Sequence, residues 1–228
     1  MQRLLSGKVR FPEFVKTNDK RKTRFGDYPK DWAYKRIQEV ATQVKDKVGD
    51  HSDGYTVMSC TKHEGLVSSL DYFDRQVFSK DISKYKAVKN GEFAYATNHI
   101  EEGSIGYNDW CEKGAISPMY TVFKADAKRI DNDYLFAVVK TENYRRIFEI
   151  FTNGTVNRRG SLRWKDFKKI KVPVPSLAEQ RAISTFLKAV DREIDLLEMK
   201  LVKHQKQKKG LMQQLLTGTV RVNNLEAV

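Results

Sequence analysis

The chain has 228 residues and sets 42 Lys+Arg against 29 Asp+Glu, a net charge of +13. Its 40% hydrophobic and 11% aromatic content suffices for a core and excludes wholesale disorder. Two cysteines, Cys60 and Cys111, exclude a disulfide framework and a Cys-rich zinc site. No apolar run nears the roughly 18 residues that mark a bilayer span, and Met1 to Lys8 has no apolar signal core. The expected address is therefore cytoplasmic with no membrane span, and the charge points to an acidic polymer, either nucleic acid or an anionic membrane surface.

In chain order, residues 1–23 are short, polar and basic, with Phe11-Pro12-Glu13-Phe14 as a small apolar plug. A globule is expected over 24–175. Gly26-Asp27-Tyr28-Pro29 is a turn signal, and Trp32, Ile37 and Val40 suit helical spacing or a short strand. Tyr55 to Cys60 is β-prone, Glu92 to Thr97 alternates with period two, and Gly114 to Phe123 reads as a strand in which Pro118 marks an edge or bulge. Tyr134, Leu135, Val138, Val139, Ile147, Phe148 and Phe151 place one or two amphipathic helices over 131–151. Strands and helices mix without a βαβ rhythm, so the fold class is α+β rather than doubly wound.

The clearest local signal is a single long helix over 176–217, followed by a tail over 218–228. Val172-Pro173-Val174-Pro175 blocks helix upstream. Ser176-Leu-Ala-Glu179 reads as a capping box, Ser176 accepting from an amide and Glu179 reaching back. Leu187, Val190, Ile194, Leu197, Leu201, His204, Lys208, Leu211 and Leu215 follow at spacings of three and four, a heptad seam that predicts a helical partner. His204 and Lys208 are its polar positions, and Gly218 closes it as a C′ residue.

The two ends of the chain match. Met1-Gln-Arg-Leu-Leu-Ser-Gly-Lys-Val-Arg-Phe11 aligns with Met212-Gln-Gln-Leu-Leu-Thr-Gly-Thr-Val-Arg-Val222, with seven of eleven positions identical at an offset of 211. The second copy is the exit of a long helix, so residues 1–23 read as the end of a preceding helix plus a linker, and the chain as one period of a longer array.

Charge is uneven: +6 over 1–30, −3 over 31–139, +7 over 140–175 and +3 over 176–228. The densest run, Arg158 to Lys171, has seven cations and one acid, interleaved with Trp164 and Phe167. Its lysines suit either a basic surface around two core aromatics or contact with an anion. Arginines beside Gly154 and Gly160 suit a loop that reaches a groove. The expected reading surface is therefore Asn157, Arg158 and Arg159, with Ser161 and Arg163 beside them. Lys62, His63, Asn98 and Tyr107 on other polar loops complete it. Asn pairs bidentately with adenine and Arg with guanine.

Catalytic signatures are not found. There is no Pro-Pro loop to hold a flipped base, no Walker A sequence, and Gly103-Ser-Ile-Gly106 lacks dinucleotide-loop spacing. His51, His63, His99 and His204 have no metal-ligand spacing with one another. His63 with Glu64, and His99 with Glu101 and Glu102, read as chance neighbours rather than acid–base pairs.

Asp166-Phe-Lys-Lys-Ile-Lys-Val-Pro-Val-Pro-Ser-Leu-Ala-Glu-Gln180 resembles the junction of strand and long helix in the DNA-specificity subunit of type I restriction-modification systems. Ala182 to Asp191 and Lys208 to Gly218 are similar along the same helix. Tyr72 to Val77, Tyr85 to Tyr95, Gly114 to Phe123 and Gly160 to Phe167 resemble that family's target recognition domain. The resemblance implies a non-catalytic reader in which each recognition domain reads one half of a bipartite site in double-stranded DNA, and the helices set the gap. It implies no cofactor in this chain: methyltransferase subunits would bind S-adenosylmethionine, and a motor-nuclease restriction subunit would use ATP. The usual subunit carries two recognition domains and two long helices, whereas this chain carries one of each. The seam then predicts a homodimer through the helix for a half-length form. The alternatives are a coiled-coil assembly adaptor whose charge serves solubility, and a free-standing nuclease or methyltransferase.

Overall fold

The computed structural model describes residues 2–50, 52–153 and 161–221. The elements run α1 (Gln2–Leu5), β1 (Lys20–Thr23), β2 (Gly26–Pro29), β3 (Ala33–Arg36), β4 (Ala41–Val44), β5 (Thr56–Thr61), β6 (Gly65–Ser68), α2 (Ser69–Phe73), β7 (Lys86–Lys89), β8 (Glu92–Ala96), β9 (Ile105–Tyr107), β10 (Lys113–Ile116), β11 (Tyr120–Ala125), α3 (Asn132–Val139), α4 (Glu142–Asn153), α5 (Trp164–Phe167), β12 (Lys171–Val174) and α6 (Leu177–Leu216). The class is α+β. Two four-stranded sheets, in the orders β6-β5-β10-β7 and β4-β11-β8-β9, form the centre, and β1–β2 and β12–β3 are separate antiparallel pairs. Among the described residues only β10 and β5 pair in parallel.

The chain divides into two compact units, 1–184 and 185–228. The first extends past both expected boundaries of the globule. Residues before 24 belong to it because Leu5 is buried, Arg10 is ion-paired within it and β1 forms a hairpin with β2. Trp32, Ile37 and Val40 are all buried, on the approach to strand β3 and on a 3₁₀ turn after it rather than on a helix.

The stretch 114–123 is two strands of different sheets, not one. A turn closes through Tyr120 N–H to Ser117 O at 3.0 Å. Pro118 lacks the N–H a ladder needs, so the strand breaks there instead of bulging. β8 is buried on both faces, since helices and sheet enclose it. In the aromatic core Phe93 stacks on Phe123 at 4.9 Å, and Phe123 lies 5.4 Å from Phe167. Phe167 in turn packs on Tyr95 at 4.6 Å and Phe148 at 5.9 Å.

Asp131 caps α3 by accepting from Tyr134 N–H at 3.0 Å. Two helices, α3 and α4, fill the region where one or two were expected. Where β9 crosses β6, a Cβ on Gly106 would come within 2.5 Å of the Leu66 nitrogen, so only glycine lets these backbones meet. α6 covers 40 residues, on the order of 60 Å at 1.5 Å per residue. Among the described residues no helix is long and apolar enough to cross a membrane.

Candidate nucleic-acid interface

Two strands far apart in sequence build a strongly basic surface. In the antiparallel pair β12–β3, Lys171 stands opposite Arg36 and Val172 opposite Lys35. Like charges directly opposite destabilise a strand pair, and here they lie at the rim of an open groove of about 860 Å³. Arg21, Lys22 and Arg24 of the β1–β2 hairpin supply a second wall, and Lys168 and Lys169 follow α5. These seven cations line the groove without one carboxylate among its described lining residues. Thr23, Phe25, Tyr34, Gln38 and Phe151 complete the lining. Lys171 Nζ lies 5.7 Å over the Tyr34 ring, and Arg24 lies 5.4 Å over Phe25. Lys169 is tied to Asp166 at 2.9 Å.

Trp164 and Phe167 explain how the basic run keeps its cations outside. Both rings pack into the aromatic core, 5.8 Å from each other, while Arg163, Lys165 and Lys169 stay exposed around them. The lysines thus sit on a basic surface around two core aromatics, and that surface is one wall of the groove.

The polar loops expected to read bases divide into three cases. Asn157, Arg158 and Arg159 lie outside the described residues. The flanks of their segment are described: Phe151 lines the groove on one side, and Leu162 N–H donates to Thr97 O at 2.8 Å on the other. Ser161 is half-buried and Arg163 exposed. Lys62 and His63 are exposed on the turn after β5, and Lys140 Nζ ties this turn to the 97–103 loop by donating to Lys62 O at 2.8 Å and Gly103 O at 2.9 Å. Burial lowers the Lys140 pKa from its ordinary value. The 62–63 turn, the 97–103 loop and the 161–163 segment are therefore linked to one another. Asn98 is half-buried and accepts from Thr97 Oγ1 at 3.1 Å.

Tyr107 is engaged in packing. Its ring lies 5.1 Å from Phe93 and 5.4 Å from Phe136, and its hydroxyl donates to Asp133. Burial raises its pKa, and the Asp133 carboxylate raises it further.

His99 Nδ1 lies 3.1 Å from Glu102 Oε1. With Glu101 they form the one group among the described residues whose ligand atoms all fall within 4.8 Å. His99 and Glu102 are exposed on a 3₁₀ turn, an arrangement that acidic surface loops adopt without an ion. The Cys60 thiol is pushed up to about 12 by burial, which keeps it from acting as a thiolate nucleophile.

Sequence reasoning missed the junction at Arg10. Ser176 Oγ accepts from Glu179 N–H at 3.2 Å, which is half of the expected capping box. The Glu179 side chain does not return to the Ser176 amide. It accepts from Arg10 Nε at 2.7 Å, Arg10 Nη2 at 2.9 Å and Trp32 Nε1 at 3.0 Å. Two charge-assisted bonds from a planar guanidinium outweigh one bond to a solvent-accessible amide. Asp31 grips the other edge of Arg10 at 2.9 and 3.0 Å, and Phe14 O accepts at 2.7 Å. Gln180 is fully buried and bonded to the Asp131 amide and to the carbonyls of Arg129 and Pro175. The Glu-Gln pair therefore fixes the start of α6 within its unit.

On α6, Leu187 is buried, while Val190, Ile194, Leu197, Leu201, Leu211 and Leu215 are exposed, as is His204. In a single copy the seam is an open apolar stripe.

The family model described as type I restriction modification DNA specificity domain matches residues 29–203. The type I restriction enzyme MjaVIII specificity subunit of Methanocaldococcus jannaschii is 26% identical over 214 residues, covering 90% of this chain and 50% of that protein. The chain spans about half the length of the curated relatives it matches. The crystal structure of the HsdS subunit from Thermoanaerobacter tengcongensis superposes with a TM-score of 0.55 at 17% identity, covering 87% of this chain and 52% of that one. A chain from a type I R-M system, solved in a study of complex assembly and conformational transition, gives a TM-score of 0.55 at 15% identity over 88% of this chain and 52% of its own. These likenesses share the α+β fold, and with the family match covering more than half of its length, the chain belongs to the type I restriction-modification DNA specificity domain family.

Proposed function

We propose that this chain is a non-catalytic, sequence-specific DNA-recognition unit whose first compact unit reads one half of a bipartite site in double-stranded DNA. The carrying observation is the carboxylate-free groove in which Lys171 and Arg36 face each other across β12–β3. A fold that gathers seven cations against their mutual repulsion has the chemistry of a phosphate-backbone seat. The loops at 62–63 and 97–103, together with the polar segment 157–163 of the sequence, would supply donors and acceptors for base edges. The apolar stripe of α6 would pair with a second long helix, from a second copy where no other is present. Methyltransferase subunits carrying S-adenosylmethionine and an ATP-driven restriction subunit are the partners such a reader would direct, in the cytoplasm.

Fluorescence anisotropy with a labelled duplex at two salt concentrations tests this. If six to ten phosphates are contacted, affinity should fall by roughly 10³- to 10⁵-fold between 50 and 200 mM salt. Selection from random duplexes should return one recurrent half-site. Salt-independent binding, or none, would favour the assembly adaptor. Methyl transfer to DNA by the pure chain with added S-adenosylmethionine would overturn the non-catalytic reading.

A further inference from the structure

Lys140 ends α3 on the two-residue elbow before α4, and its own N–H donates to Phe136 O at 3.0 Å. A lysine at such an elbow is free to extend into solvent. This one is half-buried, with Nζ 5.6 Å over the Phe136 ring and donating to Lys62 O at 2.8 Å and Gly103 O at 2.9 Å. Both acceptors are backbone carbonyls rather than carboxylates, and burial works against the charge.

The two carbonyls belong to different sheets. Lys62 is on the turn from β5 to β6, in the sheet β6-β5-β10-β7, and Gly103 is on the connection from β8 to β9, in the sheet β4-β11-β8-β9. A strand ladder fixes register within its own sheet and leaves the spacing between turns of two sheets open. Contacts set that spacing here. β6 meets β9 at Gly65 and Gly106. Gly103, at φ 98°, comes so near the other turn that a Cβ on it would lie 3.4 Å from Lys62 O. Carbonyl oxygens that converge on one point carry like partial charges and repel. An ammonium bonded to both converts that repulsion into two charge-assisted bonds.

Further bonds carry the constraint outward. In the first turn of α4, Arg145 Nε donates to Glu101 O at 3.2 Å, and Arg145 Nη1 is held by Glu142 at 2.9 Å. On the far side of the same loop, Leu162 N–H donates to Thr97 O. The side chains of Lys62, His63, Asn98, Ser161 and Arg163 thus stand on three stretches of backbone that share one frame, and Lys140 is where two of the three are joined.

The structure assigns Lys140 a positioning role in sequence discrimination: it holds the turn of one sheet and the loop of the other at the spacing at which their side chains meet neighbouring base edges together, without itself touching DNA. This rests on the DNA-reading function of the first compact unit. A base-reading constellation works only when held within about 0.5 Å of its productive geometry. A phosphate contact made by a long, flexible lysine tolerates more. Removing Lys140 should therefore erode the choice between sequences and spare the sequence-independent attraction.

The test compares Lys140→Met, which keeps the stem and removes the donors, with Lys140→Arg, which keeps charge and donors. Each variant is titrated by anisotropy against the selected half-site duplex and a shuffled one at three salt concentrations. Lys140→Met should lower the ratio of the two affinities by roughly 5- to 150-fold, the discrimination carried by one bidentate base contact, with the salt slope unchanged. Lys140→Arg should recover most of that loss. Hydrogen exchange on the DNA-free chain should quicken at 62–64 and 97–103 in Lys140→Met while β8 and β11 stay protected, the mark of local loosening rather than a weakened fold. If Lys140→Met does not fold, Arg145→Ala, which frees Glu101 O, should lower the ratio by about threefold or more, the worth of a single hydrogen bond. An unchanged ratio, an equal loss in the Met and Arg variants, or loosened loops with intact discrimination overturns the proposal. So does a salt slope shallower by about 0.9, which would make Lys140 a phosphate contact. An unaltered chain that prefers no duplex would refute the DNA-reading function and this role with it, whereas a preference kept by Lys140→Met refutes the positioning role alone.

Discussion

Glu179→Ala is expected to destabilise the first compact unit by about 3–5 kcal/mol, the cost of breaking a buried ion pair by removing one partner. Arg10 and Glu179 have side chains only 6% and 3% exposed. Without the carboxylate, the guanidinium keeps Asp31 but loses two of its bonds, and Trp32 Nε1 loses its acceptor. Thermal unfolding followed by circular dichroism should show a midpoint lower by roughly 6–20 °C, at about 2–4 °C per kcal/mol for a unit of this size. Ser176→Ala, which removes only the cap, should cost about 1 kcal/mol. Replacing Arg10 and Glu179 together by Met and Leu should recover much of the loss, since an apolar pair can substitute for a buried ion pair. It should not recover all, because Trp32 Nε1 stays without its acceptor and the Asp31 carboxylate loses the Arg10 guanidinium. If Glu179→Ala and Ser176→Ala cost the same, Glu179 serves only the helix start and the junction contributes nothing.

That junction also shows how far local sequence patterns reach. Ser-Leu-Ala-Glu ahead of an apolar run signals a helix start, and α6 begins there. Which partner Glu179 takes depends on Arg10, 169 positions earlier, and no spacing rule reports on that distance. The long helix, the paired helices over 131–151, and the strands at 56–61 and 92–96 are legible because periodicity and capping act within a few residues. The split of 114–123 into two sheets is half legible: Pro118 marks an interruption, but whether a strand bulges or changes sheet depends on β8 and β5 as neighbours. The groove is the least legible part. The runs at 20–24 and 163–171 are visible as charge, but the first reads as linker. The pairing of β3 with β12 that brings Arg36 to Lys171 joins residues 135 apart. Residue type alone points to the reading loops, and type does not distinguish Tyr107, whose hydroxyl is bonded to Asp133, from a side chain free to meet a base.

Substituting Arg21, Arg36 and Lys171 together by Ala should weaken DNA binding uniformly across sequences. For every phosphate no longer neutralised, the dependence of log affinity on log salt should become shallower by about 0.9. All three side chains are exposed and line the groove. Removing Lys171 and Arg36 also relieves a cross-strand repulsion, so unfolding temperature should hold or rise slightly while affinity falls. The opposite signs of those two changes identify residues kept for an anionic ligand rather than for the fold. Arg158→Ala with Arg159→Ala should behave differently. If those arginines reach guanine edges, each costs about 1–3 kcal/mol against the selected half-site and much less against shuffled DNA, so the ratio of the two affinities collapses. Anisotropy titrations of both variants against selected and shuffled duplexes at three salt concentrations separate the two roles. A groove variant with an unchanged salt slope would remove the phosphate seat from this face. A loop variant that loses equally on both duplexes would make Arg158 and Arg159 backbone contacts, leaving the discrimination to Lys62, His63, Asn98 and Arg163.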